Sequence, residues 1–216
     1  MDFVQARNRM LDGQVRTADV TDLPLLAALA ELPRERFVPP GQGDLAYADL
    51  DLPLRGSGRC LLRPRTLAKL IQAAEIARTD RVLDVGCTTG YGAAVLARLA
   101  AEVVALEEDT ALAAFASKAL AGVAAAVSVV TGPLTAGWPA RQPYDVILME
   151  GATEVAPRAL FAQLADSGRL LCMEGRDLAG RAMIYRSDHG QVSGRSVFDA
   201  AAPLLPGFAR PPAFVF

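Results

Sequence analysis

Asp84-Val85-Gly86-Cys87-Thr88-Thr89-Gly90-Tyr91 is the stretch on which the reading of this chain turns. Upstream, Val82-Leu83-Asp84-Val85 is a short apolar run with one acid near its end, and downstream Tyr91 to Leu99 is Ala-rich with helical spacing. A strand, a glycine-bounded turn and a helix together make the opening unit of an α/β sheet. Working outward, Val103 to Leu106 reads as a strand, Thr110 to Leu120 as a helix and Val127 to Val130 as a strand. Val146 to Met149 and Leu170 to Met173 read as further strands, with a helix over Pro157 to Leu164 between them. Short continuous apolar runs separated by helices are what a parallel sheet buried on both faces requires.

The expected class is therefore α/β, a Rossmann-like, doubly wound, mostly parallel sheet. Its end differs, because Ala182 to Tyr185 and Val192 to Phe198 flank Asp188-His189-Gly190 and read as an antiparallel C-terminal hairpin. Ahead of the sheet lies an N-terminal helical extension, with helices expected over 2–12, Leu23 to Leu32 behind an Asp22 cap with Pro24 in the first turn, and Arg65 to Ala77. Pro39 through Gly58 is rich in Gly, Pro and Arg and reads as too irregular for a regular element; loops of that length usually carry function. The tail from Pro203 is expected to lie on the body through Phe208, Phe214 and Phe216. One domain over 1–216 is expected, with the extension and loop at 1–78, the core at 79–200 and the tail at 201–216.

Composition excludes several classes. The 216 residues are 52% hydrophobic and 21% charged, which suits a globular chain and not a disordered one. Basic and acidic residues number 22 and 24, a balance that argues against capture of nucleic acid or of an anionic membrane. Cys60, Cys87 and Cys172 are odd in number and widely spaced, so neither a disulfide framework nor a structural metal site is expected, and a reducing cytoplasm fits. The one histidine, His189, falls in a turn, which leaves triad hydrolysis without its base. No signal-like or membrane-length apolar run is present.

In a doubly wound sheet, ligands bind beyond the carboxyl ends of the strands where the strand order reverses. Gly86 allows a sharp turn off the first strand, and Gly90 lets the helix start close to it. Thr88 stands where a dinucleotide fingerprint has its second glycine, which disfavours a pyrophosphate and with it a nicotinamide oxidoreductase. Asp84 closes the first strand, and Glu107 closes the second, 21 residues past Gly86, the spacing at which an acid reaches a ribose diol. A ribose with a cationic remainder suits two acids, and S-adenosylmethionine is such a ligand.

These residues resemble the S-adenosylmethionine-dependent methyltransferases, whose acid-x-Gly-x-Gly-x-Gly turn is similar to Asp84 to Gly90 with Thr88 in place of the central glycine. Roughly residues 5 to 175 resemble, more narrowly, the protein-L-isoaspartate O-methyltransferases. The likeness is carried in order by Pro33-Arg34-Glu35-Arg36-Phe37-Val38-Pro39, Ala46-Tyr47-Ala48-Asp49, Leu52-Pro53-Leu54 with Gly56 and Gly58, Gly90 to Ala97, Gly137-Trp138-Pro139 and Tyr144-Asp145-Val146-Ile147. The resemblance implies methylation of a carboxylate on a damaged, isoaspartyl protein or peptide. It also implies cofactor contacts at Asp84, Gly86, Cys87, Thr88, Gly90, Glu107, Glu108 and Leu134.

Several positions depart from that pattern. The family's substrate loop reads Gly-x-Gly-Gln-Thr-Ile-Ser-Gln-Pro, and here it is Gly56-Ser57-Gly58-Arg59-Cys60-Leu61-Leu62-Arg63-Pro64. Leu62 thus replaces the serine implied to hold the acceptor carboxylate, and losing a donor to a buried charged acceptor costs about 1.5–3 kcal/mol. Arg55, Arg59, Arg63 and Arg65 crowd the loop, so that Arg59 or Arg63 is a candidate substitute for the hydroxyl, the plainer reading being a solvated basic loop. Pro133-Leu134 replaces an Asp-Gly pair implied to contact adenine. Glu150 replaces a small or hydroxyl residue and is expected to bring a charge to the mouth of the sheet, where it repels a carboxylate or serves as base to a different acceptor. These departures keep a catalytically degenerate binding module as the alternative.

Overall fold

The computed structural model describes residues 1–54, 56–175 and 180–211. Among these, the N-terminal third supplies α1 (Phe3–Met10), α2 (Leu23–Glu31), a two-stranded ladder of β1 (Leu52–Leu54) and β2 (Arg59–Leu61), and α3 (Pro64–Ala73). The sheet region supplies β3 (Arg81–Val85), α4 (Tyr91–Leu96), β4 (Glu102–Glu107), α5 (Thr110–Leu120), β5 (Val127–Thr131), β6 (Tyr144–Thr153), α6 (Arg158–Phe161), β7 (Leu164–Glu174), β8 (Arg181–Asp188) and β9 (Gln191–Asp199).

Caps set several starts. Asp2, Asp22 and Asp109 each accept hydrogen bonds from first-turn amides of α1, α2 and α5, satisfying donors that the helix itself cannot. Prolines open α2 and α3, where a missing N–H is harmless. α4 is shorter than the Ala-rich stretch suggests, because Arg98 and Leu99 bond three residues back to Val95 and Leu96 and tighten the end into a turn. The expected helix over 157–164 is a single turn for a related reason: Leu164 already pairs with Tyr144 at the start of β7.

Seven strands form one sheet in the order β5-β4-β3-β6-β7-β8-β9. β3 through β7 pair in parallel, while β7–β8 and β8–β9 are antiparallel, the last two being the expected hairpin at the edge. Alternate residues divide the core. Val82, Val146 and Leu148 pack with Phe37, Leu62, Leu67 and Tyr91 on one face, and Leu83, Val85, Ile147 and Met149 pack with Leu134, Leu160 and Phe208 on the other. Each such aliphatic side chain contributes about 1.5–3 kcal/mol by leaving water, which is ample reason for the register to hold.

One expectation is corrected, and one is filled out. Residues 39–58 are not wholly irregular, since β1 lies inside them and pairs with β2 from Leu52–Leu61 to Leu54–Arg59; Pro53 and the neighbouring glycines hide so short a strand. The tail also has structure: Ala152 N–H donates to Pro203, Leu205 N–H donates to Ala152, and Glu154 N–H donates to Phe208. Phe208 is buried as expected, and Phe214 and Phe216 lie outside the described residues.

Candidate active site

The chain winds from β3 outward to β4 and β5, then crosses back to lay β6 along the opposite side of β3, so the order reverses between β3 and β6. Here β6 bulges. Leu148 and Ala152, four residues apart, pair with Leu171 and Met173, two apart on β7. Bulges redirect side chains, and this one holds Glu150.

Glu150 and Asp84 meet in the interior beneath the turn, 2% and 0% exposed. Among the described residues no donor from a residue outside the pair reaches any of their four carboxyl oxygens, and the hydroxyls of Thr88 and Thr89 are likewise buried without a partner. Burial is the main force pushing both acids upward. At Glu150 the charge of Asp84 and a hydrogen bond with it add to the rise, against Arg34 and Arg59; at Asp84 the hydrogen bond with Glu150 opposes the rise more than Glu107 adds to it, and Arg59 opposes it less. Both shifts favour the protonated over the charged form in this interior. This corrects the expected charge at the mouth: Glu150 points inward and is neutralised there.

Gly92 makes room for it. A Cβ at position 92 would stand 1.7 Å from Glu150 Oε1 and 2.8 Å from its carboxyl carbon, so Glu150 and Gly92 are spatially a matched pair. Arg34 completes this side, with Nε donating to Ala46 O at 2.7 Å, Nη2 to Leu62 O at 2.7 Å, and the guanidinium 4.5 Å from the Tyr91 ring centroid. Burial lowers its pKa, and the proximity of Tyr91 and Glu150 opposes that fall.

The outer side is built differently. Glu107, also 0% exposed, accepts from Arg59 Nη1 at 2.7 Å, Glu108 N–H at 2.9 Å and Asp109 N–H at 3.1 Å through Oε1, and from Thr88 N–H at 2.8 Å through Oε2. Thr88 holds φ 51°, a left-handed conformation that costs a side-chain-bearing residue on the order of 1–2 kcal/mol, and its amide bond to Glu107 is what the turn gains. Arg59 also donates through Nη2 to Gly86 O at 3.0 Å. Glu108 accepts from Leu134 N–H at 3.4 Å, which brings those two sequence candidates together at the rim. Cys87 is buried, and burial holds its thiol well above the usual range, so it is a packing group.

The acceptor side does not take the expected form. Leu62 is 0% exposed and packs in the core, with its carbonyl held by Arg34. Arg59 faces Glu107, and Arg63 pairs with Asp51 through Nη2 at 2.9 Å while its amide donates to the same carboxylate at 2.8 Å. Both guanidiniums offered as substitutes for the serine hydroxyl are therefore committed to acids of the chain. The solvated-loop reading also fails for Arg59, whose side chain is 5% exposed, while Arg65 pairs with Asp49 at 3.2 Å and Arg55 lies outside the described residues. Sequence reasoning singled out neither Gly92 nor Leu205 as a site residue. The quoted Gly90 to Ala97 motif contains Gly92, whereas Leu205, between Leu204 and Pro206, carries no local signal.

The model of the protein-L-isoaspartate(D-aspartate) O-methyltransferase family matches residues 6–200. This chain belongs to that family. A protein-L-isoaspartate O-methyltransferase from Methanoregula boonei is 43% identical over 178 residues, covering 82% of this chain and 80% of the relative. One from Koribacter versatilis is 37% identical over 205 residues, covering 94% and 92%. Among solved structures, a protein-L-isoaspartate O-methyltransferase superposes with a TM-score of 0.81 at 24% identity, over 93% of this chain and 66% of the other. A Plasmodium falciparum structure described as a β-aspartate methyltransferase in complex with S-adenosyl-L-homocysteine superposes with a TM-score of 0.78 at 15% identity, over 94% and 97%. At those identities the structures speak for the fold alone. The protein-L-isoaspartate O-methyltransferase family thus accounts for the sheet order, and the residues at the switch point belong to this member.

Proposed function

We propose that this chain is an S-adenosylmethionine-dependent methyltransferase acting on the free carboxylate of isoaspartyl residues in damaged protein, one domain throughout, working in the cytoplasm on protein or peptide acceptors. The observation that carries it is the pair of buried acids, Asp84 and Glu107, closing adjacent parallel strands at the point where the strand order reverses. The family match over 6–200 supports the same reaction class. Among the described residues no helix is long and apolar enough to cross a membrane.

The inner acids fit the cofactor's charge. Among the described residues Asp84 and Glu150 receive no donor from any other side chain or amide, and a buried carboxyl group gains most from a cation that brings its own N–H groups. Asp84 with the turn from Gly86 to Gly90 would hold the amino-acid end, and Glu107 with Glu108 and Leu134 the nucleoside end. When bound, S-adenosylmethionine supplies a methyl group on a sulfonium, an electrophile with a neutral leaving group. The chain's task is then to align an acceptor carboxylate and exclude water, because a carboxylate nucleophile needs no base. His189, far out on the β8–β9 turn and 86% exposed, has no part in that task.

The test is transfer of labelled methyl from S-adenosylmethionine to an isoaspartyl peptide, beside its aspartyl counterpart. Base-labile label in the isoaspartyl peptide alone is expected. Background incorporation into both, from folded protein, overturns the reading.

A further inference from the structure

The nucleoside end of the crevice already holds a cation. Arg59 opens β2 behind a tight turn, in which Ser57 Oγ accepts its amide at 3.1 Å, and its side chain reaches across the mouth to Glu107 and to the carbonyl of Gly86. Of the four donors that Glu107 receives, Arg59 and the amides of Glu108 and Asp109 converge on Oε1, and the Thr88 amide reaches Oε2. The space over the turn is filled as well. Gly86, at φ 79°, leaves its face bare as a close ligand approach requires, yet a Cβ built there would meet Arg59 Nη2 at 2.6 Å and Leu205 Cδ2 at 3.0 Å. Leu205 is delivered by the tail, whose ladder with Ala152 fixes it over Gly86 and Gly151. What remains open beside the ion pair is a cavity of about 250 Å³ lined by Ser57, Arg59, Glu107, Glu108, Asp109 and Pro206. That is below the roughly 300–1,000 Å³ of ordinary small-molecule sites.

We propose that Arg59 is an internal competitor for the nucleoside and the residue that sets this chain's cofactor affinity. The guanidinium occupies Glu107 Oε1, one of the two oxygens a ribose diol would engage, and stands over Gly86 as well, so the cofactor enters only when Arg59 withdraws. The backbone that carries it is anchored, since Leu52, Cys60 and Leu61 of the β1–β2 ladder pack in the core, so the withdrawal is a swing of the Arg59 side chain. The inference rests on the methyltransferase reading, and its test separates the two.

The experiment is calorimetric titration of the full chain with S-adenosylhomocysteine, comparing wild type, Arg59→Gln and Leu205→Ala, each checked for native circular dichroism. Apparent affinity scales with the fraction of open molecules, so a wild type closed in nine of ten molecules gains about tenfold when the latch is removed. Arg59→Gln is expected to bind at least about tenfold tighter, close to 1.4 kcal/mol, and Leu205→Ala to show a smaller gain in the same direction. If Arg59→Gln fails to fold, Leu205→Ala carries the test alone. Equal or weaker binding by folded variants, with the wild type binding normally, overturns the competitor and leaves the methyltransferase reading intact. Absence of heat from all three at millimolar ligand overturns both.

Discussion

Three buried acids line one crevice, and its two ends treat them in opposite ways. At the outer end Glu107 is met by an arginine and three backbone amides. At the inner end, among the described residues, Asp84 and Glu150 receive no donor from any other residue, and burial pushes both towards the protonated form. Burial is equal at both ends, so burial alone does not decide what a carboxyl group becomes; the supply of donors does. The outer end is complete without a ligand, and the inner end is complete only with a proton or a cation.

The contrast is most severely tested at Glu107. Glu107→Ala leaves Arg59 buried without its acid and is expected to lower stability by about 3–5 kcal/mol, read as a fall in the urea midpoint at unchanged m-value. A loss of under about 1 kcal/mol would mean that the ion pair contributes as little as a surface one. The inner end is broken sterically. Gly92→Ala is expected to cost about 1–3 kcal/mol by displacing Glu150, and adding Glu150→Ala in the same chain is expected to restore most of that loss. Additive costs would separate the two residues.

The remaining effect is in pH dependence. Both inner acids have folded pKa values above their unfolded ones, so the folded chain retains protons that the unfolded chain releases above about pH 4. Their contribution to stability is full below that point and is lost as pH rises towards the folded values. Glu150→Gln removes one titrating partner and is expected to flatten the decline by up to about 1.4 kcal/mol per pH unit in urea melts between pH 5 and 8. A slope identical to wild type would show that Glu150 is not held protonated.

What could be read from the sequence divides along the same line. Short apolar runs and alternating helices exposed the parallel sheet, and Asp84, Gly86, Gly90 and Glu107 were visible because each sits at the end of such a run. Local pattern did not reveal what crosses the crevice. Arg59 and Glu107 are 48 residues apart, and Leu205 reaches Gly86 from the far end of the chain. Nor does the spelling of residue 150 say whether its side chain faces out or in; that depends on a two-residue bulge against β7 and on a missing Cβ at position 92. Periodicity reports which face a residue shares, and it is silent on partners brought together by topology.

The strap formed by residues 203–208 has a mechanical side. It is laced to Ala152 and Glu154, immediately beyond the kink that carries Glu150, while its leucine presses on the first turn. Whatever tugs at this end of the polypeptide therefore pulls on both halves of the crevice at once, so an interaction far from the acids would be felt by them through the backbone.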